Sequence, residues 1–364
     1  MTQATANRCF NFNAGPAAMP APVLESLQND LVDYRGRGLS VLEMSHRSPD
    51  FAEIAAKAES DFRQLLNIPD NYSVLFMQGG ASAQFSLCVQ NLDQRKKVAY
   101  ANTGYWAKKA MASAAALTNV VEVTTCQTEP LISIPDSKQW LDVPDASFLH
   151  VTDNETIDGI VFDEVPDTEL PIVSDMSSSI LSQPVDISKY GVIYAGAQKN
   201  IGPAGITLVI IRNELIERSE QAGLPPVFNY AAMAKAGSML NTPPTFAWYA
   251  AGLVFEWLLD SGGLTAMAER NKRQAEKVYQ TIDKHDVFQN SVCAANRSRM
   301  NIPFRLSDES LTKAFLEEAA ARNFTGLKGH KSVGGLRASL YNAATDDAVN
   351  ALVDYLESFA RGNP

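Results

Sequence analysis

Short apolar runs alternate with segments of helical periodicity from about residue 50 to about residue 260, and this alternation restricts the fold more than any other feature. Many of the runs are apolar throughout, which is typical of strands that are covered on both faces of a parallel sheet. Strands that alternate with helices predict an α/β domain with a mostly parallel sheet between helices. The predicted strands are 74–77, 98–101, 120–124, 148–152, 172–175, 192–195 and 207–211.

The pattern changes around residues 260–263, where a long charged helix begins. Further elements follow in the order strand 300–306, helix 311–322, strand 336–341 and a last helix. This order predicts a smaller α+β domain. We therefore expect a large domain at 17–260 and a small C-terminal domain at 261–364, with segment 1–16 packed on the small domain.

Composition limits the partners and the compartment. The chain has 364 residues, a formal net charge of −10 and no basic run, which argues against nucleic acids and anionic membranes as partners. Its apolar runs are too short to span a membrane, and no secretory signal is visible. The four cysteines form no CxxC pair, and the four histidines have no metal-ligand spacing. We expect a cytoplasmic protein with free thiols and no metal site.

Two predicted strands lead to residues of opposite charge. The strand 172–175 ends in Asp175, and the strand 192–195 is followed by small residues and Lys199. A lysine amine can form a Schiff base with the aldehyde of pyridoxal 5'-phosphate (PLP), and a carboxylate can keep the pyridine nitrogen protonated. Either residue alone is more often a solvated loop or turn residue. The PLP hypothesis therefore depends on further elements that fit the same cofactor.

A phosphate site is one such element. The strand 74–77 is followed by Gly79 and Gly80, and a helix begins there with Ala81 and Ser82. Free N–H groups and the positive end of the helix dipole favour a phosphate, and Ser82 adds a hydroxyl. Paired glycines before a helix are also common in ordinary turns, so this signal is weak alone.

Three more side chains follow predicted strands, where ligands of open α/β sheets bind. Trp106 could stack on a pyridine ring, although a tryptophan that only packs a helix start is an equally good interpretation. Thr156 could donate a hydrogen bond to the ring hydroxyl, and Gln198 precedes the lysine.

Two clusters could bind the anionic groups of a substrate. His46 and Arg47 precede a helix that Ser48 caps, and His330 and Lys331 precede a strand that contains Arg337. Arginine binds carboxylates and phosphates through two parallel hydrogen bonds. Lys331 alone is better explained as surface charge, whereas an arginine inside an apolar strand needs a partner.

The chain resembles the phosphoserine aminotransferases, class V members of the PLP-dependent fold type I enzymes. The resemblance covers nearly the whole chain, from residues 11–16 to the C-terminal helix. It is most specific in five stretches, which are 154–159, 190–205, 241–246, 296–300 and 329–339.

The resemblance implies a fold and a reaction. The fold would be that of PLP fold type I, with a large and a small domain. The reaction would be glutamate:3-phosphohydroxypyruvate transamination in serine biosynthesis, which gives O-phospho-L-serine and 2-oxoglutarate. Transamination of 4-phosphohydroxythreonine in pyridoxine biosynthesis stays open.

The resemblance also implies roles for individual residues. Lys199 would bind the cofactor covalently, Asp175 would pair with its ring nitrogen, and Trp106 would stack on the ring. Thr156 would contact the ring oxygen, and Ala81, Ser82 and Gln198 would bind the phosphate. Residues of a neighbouring subunit would reach the same phosphate, which makes a homodimer necessary, and other side chains would hold the substrate. The phosphate ligands from the neighbour are Asn241 and Thr242, and the substrate ligands are Arg337 for the α-carboxylate and His46, Arg47, His330 and Lys331 for the distal anion.

The sequence departs from the family at three positions. Some members have arginine in place of Ser82 and Lys331 and serine in place of Ala14, so the distal pocket here carries less fixed positive charge. A glyoxylate aminotransferase or a desulfurase would keep the fold without a distal phosphate site, and no cysteine is placed for a desulfurase. A PLP-binding protein without catalysis is the alternative from another class.

Overall fold

The computed structural model describes residues 8–363. The strands are β1 (Phe10–Asn11), β2 (Tyr72–Met77), β3 (Lys97–Asn102), β4 (Asn119–Thr125), β5 (Leu149–Thr152), β6 (Asn154–Glu155), β7 (Ile160–Val161), β8 (Ile172–Asp175), β9 (Val192–Gly196), β10 (Thr207–Arg212), β11 (Phe288–Gln289), β12 (Asn301–Leu306), β13 (Phe324–Thr325) and β14 (Leu336–Ser339). The α-helices are α1 (Ala21–Asp30), α2 (Pro49–Leu66), α3 (Gly80–Leu92), α4 (Tyr105–Ala115), α5 (Asn213–Glu220), α6 (Tyr230–Lys235), α7 (Thr245–Asp260), α8 (Gly263–Lys284), α9 (Thr312–Ala321) and α10 (Asp346–Gly362).

The central sheet has the strand order β2-β10-β9-β8-β5-β3-β4. Strand β10 runs antiparallel to both of its neighbours, β2 and β9, and the other neighbouring pairs in this sheet are parallel. The seven strands of this sheet are the seven that were predicted from apolar runs, so the predicted mostly parallel α/β fold is confirmed. One face packs on α1, α2 and α7, and the other packs on α3 to α6, which explains why the strands are apolar on both sides.

Helix α2 shows why the local sequence folds as predicted. The Phe51 N–H donates to the Ser48 hydroxyl at 3.2 Å, and Pro49 occupies the first turn. The helix ends at Leu66, and the cap residue Asn67 has a φ of 48°, in the left-handed region. Its apolar stripe packs on α7, where the ring centroids of Phe62 and Phe255 are 5.0 Å apart.

The C-terminal residues form a second core. Strands β11, β12 and β14 make a three-stranded sheet, and side chains of α8, α9 and α10 pack with it. Phe12 is buried in the same core, and β1 pairs in parallel with β13. The expected packing of residues 1–7 lies outside the described part of the chain. From residue 8 to residue 363, no helix has both the length and the apolar character that crossing a membrane requires.

The topology brings the predicted site residues to one edge. Strands β5, β8 and β9 run parallel and end at Thr152, Asp175 and Gly196. The carboxyl ends of such strands meet at one edge of the sheet, where ligands of open α/β folds bind.

Candidate active site

A cavity of about 290 Å³ lies at this edge of the central sheet. Nine of the residues predicted from sequence line it, namely Ala81, Ser82, Trp106, Thr156, Asp175, Gln198, Lys199, His330 and Arg337. Folding therefore brings together residues that are up to 256 positions apart in the chain, counted from Ala81 to Arg337.

Lys199 presents its amine to the cavity. Nζ donates a hydrogen bond of 2.7 Å to Oγ1 of Thr156. Burial lowers the pKa of Lys199 to about 8, although the carboxylates of Asp175 and Glu155 favour the charged form. An amine with this pKa is much more often uncharged than an exposed lysine, so it can act as a nucleophile or a base.

Asp175 is the last residue of β8 and lies opposite Tyr194 of β9. Its Oδ1 accepts the Ser177 N–H at 2.9 Å. Burial raises the pKa of Asp175, while hydrogen bonds from Ser177 and the positive charge of Lys199 oppose that rise. A buried carboxylate in this position is stabilised by a cationic partner in the cavity.

Ser177 also lines the cavity, and the sequence analysis missed it. Its Oγ accepts the Gly196 N–H at 3.1 Å, which ties the end of β9 to the loop after β8. The same side chain is a hydrogen-bond partner of Asp175. The signal was available, because the three serines 177–179 closely follow the aspartate.

The start of α3 forms a cradle of main-chain donors. Gly79 and Gly80 have φ values of 95° and 67°, a region that favours glycine. A Cβ at Gly79 would lie 2.6 Å from the Cβ of Ala83. The Gly79 cap has no side chain to bond the first turn, and Gly80, Ala81 and Ser82 face the cavity. The cradle suits an anionic group.

Trp106 lies in the first turn of α4 and is partly buried. Its Nε1 is buried without a hydrogen-bond partner. The main-chain carbonyl of Gln198 accepts the Ala17 N–H at 2.9 Å, which fixes the segment before Lys199.

Arg337 is buried on β14 and reaches the cavity from the C-terminal part of the chain. Its Nη1 donates to the main-chain carbonyl of Thr156 at 3.1 Å, whereas its Nε is buried without a partner. Burial lowers the pKa of Arg337. The pKa of His330 is also lowered, mainly by burial and next by the positive charges of Arg337 and Lys331. Because its Nε has no partner, the Arg337 guanidinium has donor capacity left for a carboxylate.

Five of the residues predicted from the sequence do not line this cavity in the described part of the chain, residues 8–363. His46 is half-buried, and its Nε2 has no partner. The other four side chains are exposed, and they are Arg47, Lys331, Asn241 and Thr242. Of the four residues predicted to hold the distal anion, His330 thus lines the cavity of a single chain and the other three do not.

Comparison with known proteins shows the relationship of the chain. The family model Aminotransferase class-V matches residues 9–352. Phosphoserine aminotransferase of Acinetobacter baylyi is 50% identical over 357 residues, which cover 97% of this chain and 99% of the relative. The protein of that name from Pseudomonas aeruginosa is 51% identical over 356 residues, with 97% and 98% covered.

Solved structures agree with the sequence relatives. Phosphoserine aminotransferase from Bacillus circulans subsp. alkalophilus has a TM-score of 0.94 at 40% identity, with 98% of this chain and 99% of that chain covered. The PLP-bound phosphoserine aminotransferase from Trichomonas vaginalis has a TM-score of 0.92 at 40% identity, with 96% and 100% covered. The chain belongs to the class V aminotransferases, within the phosphoserine aminotransferase family.

Proposed function

We propose that the protein transfers the amino group of glutamate to 3-phosphohydroxypyruvate and thereby makes O-phospho-L-serine for serine biosynthesis. The observation that carries this proposal is the convergence of Lys199, Asp175 and Arg337 on one cavity. A nucleophilic amine, a buried acid and an arginine with spare donors are the groups that an amino-acid transamination requires.

The cofactor of the family is PLP, and the cavity residues fit it. The main-chain donors of α3 match a phosphate, and the unpartnered Nε1 of Trp106 lies in the same cavity. Asp175 is buried where a protonated ring nitrogen would compensate its charge. When bound, PLP supplies an aldehyde that takes up the amino group and a ring that accepts the electrons of the Cα–H bond.

Lys199 moves the proton in this proposal. Its Nζ would hold the cofactor until the amino donor binds. As a free amine, Nζ would take the proton from Cα of glutamate as a base and then give it up as an acid. The hydroxyl of Thr156, 2.7 Å from Nζ, orients the amine for both transfers. The same steps run in reverse on the keto acid.

Arg337 holds the α-carboxylate of both amino acids through its Nε edge, which has no partner within the described chain. Its bond to the Thr156 carbonyl keeps the guanidinium at a fixed place beside Lys199. His330, which lines the same cavity, contributes to the distal anion site that accepts either a γ-carboxylate or a phosphate. Lys331 is exposed and stands where some members of the family have an arginine, so it would contribute a point charge without the planar pair of donors.

We propose a homodimer in which each cavity is completed by the neighbouring subunit. His46, Arg47, Asn241 and Thr242 do not line the cavity of their own chain. Exposed apolar side chains lie near them in sequence, including Val32 at 82% exposure, Leu42 and Leu240. A second copy of the chain would cover these apolar groups and bring the polar residues to a cavity.

Two broader expectations belong to the same proposal. We propose a large domain at 17–260 and a small domain at 261–364. The apolar core formed by β12, β14 and α8 to α10 supports the division, although Leu264 and Met267 at the start of α8 pack in the core of the first part. We assign the enzyme to the cytoplasm, where the thiols of the exposed Cys9 and of the other cysteines stay reduced.

The visible absorption spectrum of the purified holoenzyme tests the reaction. Glutamate is expected to convert the spectrum to that of the aminated cofactor, and 3-phosphohydroxypyruvate is expected to restore it. An unchanged spectrum with glutamate would contradict the proposal, and glyoxylate with alanine or serine would then be the donor–acceptor set to examine. The same assay with the keto acid that corresponds to 4-phosphohydroxythreonine decides whether a second substrate is used.

A further inference from the structure

The turn between β6 and β7 does more than supply Thr156. Asn154 pairs with Val161 and Glu155 pairs with Ile160, so residues 156–159 form the connection of a short hairpin. Two carboxylates of this hairpin, those of Glu155 and Asp158, have no role in the proposed reaction. Glu155 is fully buried and therefore needs strong hydrogen-bond partners.

Those partners are the first N–H groups of α4. The cap residue of α4 is Gly104, which has no side chain to bond the free donors. Oδ2 of Asp158 accepts the Tyr105 N–H at 3.0 Å. Oε2 and Oε1 of Glu155 accept the N–H groups of Trp106 and Ala107 at 2.9 and 2.7 Å. Two carboxylates from one hairpin thus satisfy three consecutive donors at the positive end of the helix dipole.

Gly104 permits this close approach. A Cβ at Gly104 would lie 2.5 Å from Oδ2 of Asp158 and 2.8 Å from Cδ of Glu155. Any side chain there would push the hairpin away from the helix. The glycine, the two carboxylates and the three N–H groups therefore form one fitted contact, which we call the carboxylate clamp (Gly104, Glu155, Asp158 and the first turn of α4).

The clamp joins helix α4, which carries Trp106, to the β6–β7 hairpin, which carries Thr156. Trp106 belongs to the clamped turn. Thr156 follows Glu155 directly, and it accepts hydrogen bonds from the Lys199 amine through its hydroxyl and from the Arg337 guanidinium through its main-chain carbonyl. We propose that Glu155, assisted by Asp158, is a positioning residue that sets the Trp106 indole against the cofactor ring. This inference rests on the proposed stacking role of Trp106.

The charge of Glu155 has a second effect. It favours the protonated amine of Lys199. Burial raises the pKa of Glu155 to about 8, and the two N–H donors of Trp106 and Ala107 work against that rise. The clamp is strongest when the carboxylate is ionised, because a main-chain N–H binds an anionic oxygen more strongly than the oxygens of the neutral acid.

A double-mutant cycle tests the proposal with 4'-deoxypyridoxine 5'-phosphate as the probe. This analogue has no aldehyde, so its binding reports stacking and phosphate contacts without capture by Lys199. Glu155→Gln keeps the size of the side chain but puts an amide N–H₂ against a main-chain donor. We expect it to weaken binding of the probe about tenfold. In the Trp106→Leu background the same change is expected to alter binding by less than about twofold, since the indole that the clamp positions is gone.

An equal weakening by Glu155→Gln in both backgrounds would overturn the proposal, as would an absence of any effect from Trp106→Leu. Asp158→Asn gives the second series if Glu155→Gln does not fold, with the same dependence on Trp106 expected. Glu122→Gln is the matched control, since it removes an exposed carboxylate of β4 that accepts from Asn102. The spectral response of the wild-type holoenzyme to glutamate is independent of this cycle, so failure of the clamp and failure of the proposed reaction are distinguishable.

Discussion

The Lys199 amine and the Thr156 hydroxyl are joined by a hydrogen bond of 2.7 Å across the candidate active site. The carbonyl of the same threonine accepts from Arg337 at 3.1 Å. One residue of the β6–β7 turn thus sets the separation between the group proposed to move the proton and the group proposed to hold the substrate.

Replacing Lys199 by alanine is expected to lower turnover at least about 1,000-fold, because nucleophile and base are lost together. The measurement is formation of 2-oxoglutarate from glutamate with 3-phosphohydroxypyruvate as acceptor. Lys189→Ala removes an exposed lysine outside the cavity and serves as control. Normal turnover in the Lys199 variant would refute the mechanism.

The lowered pKa of Lys199 has a measurable consequence for cofactor capture. Only the uncharged amine attacks the aldehyde, and burial brings its pKa to about 8. The rate at which the apoenzyme captures PLP should therefore rise with pH up to about 8 and level off above it, as stopped-flow absorbance would show. A rate that keeps rising beyond pH 10 would mean that the amine titrates like an exposed lysine.

Thr156→Val should shift that midpoint downward. The hydroxyl oxygen accepts from Nζ and so favours the charged amine, and valine removes the acceptor at nearly constant volume. Thr152→Val is a matched control, because it removes a buried hydroxyl of the same cavity that has no partner. An equal shift in the two variants would show that the hydrogen bond to Lys199 is not the cause.

Arg337→Ala should raise KM for glutamate and for 3-phosphohydroxypyruvate alike, by about 100-fold, since both carry an α-carboxylate. Arg337→Lys should recover only part of the loss, because an ammonium lacks the planar pair of donors. Arg361→Ala is the control on the exposed end of α10. An effect on one substrate alone would show that the role of Arg337 is wrongly assigned.

The parts of this site that the sequence predicted are those with local signals. Asp175 and Lys199 lie at or just after the ends of apolar strands, and parallel strands that end at one edge bring such residues together. The seven strands of the central sheet were predicted for the same reason, because burial on both faces leaves a continuous apolar run.

Other features depend on contacts that no local pattern encodes. Glu155 accepts main-chain donors of residues 106 and 107, about 50 positions earlier in the chain, so its role is invisible until the fold is known. The resemblance gave His46 and Arg47 a role in the distal site, yet their side chains do not line the cavity of their own chain. A single sequence does not state which copy of the chain supplies a residue.

Mixing two variants, each without part of the proposed site, tests whether Asn241 and Thr242 act across subunits. The Lys199→Ala variant keeps both phosphate ligands, and an Asn241→Ala, Thr242→Val variant keeps the lysine. In a hybrid dimer one cavity would combine Lys199 of one subunit with Asn241 and Thr242 of the other, so one of the two sites would be complete. After denaturation and refolding of an equal mixture, about a quarter of wild-type activity is expected, since half of the dimers are hybrid and each has one intact site. If the two residues served the cavity of their own chain, no dimer would contain a complete site, and activity would stay at the level of the separate variants.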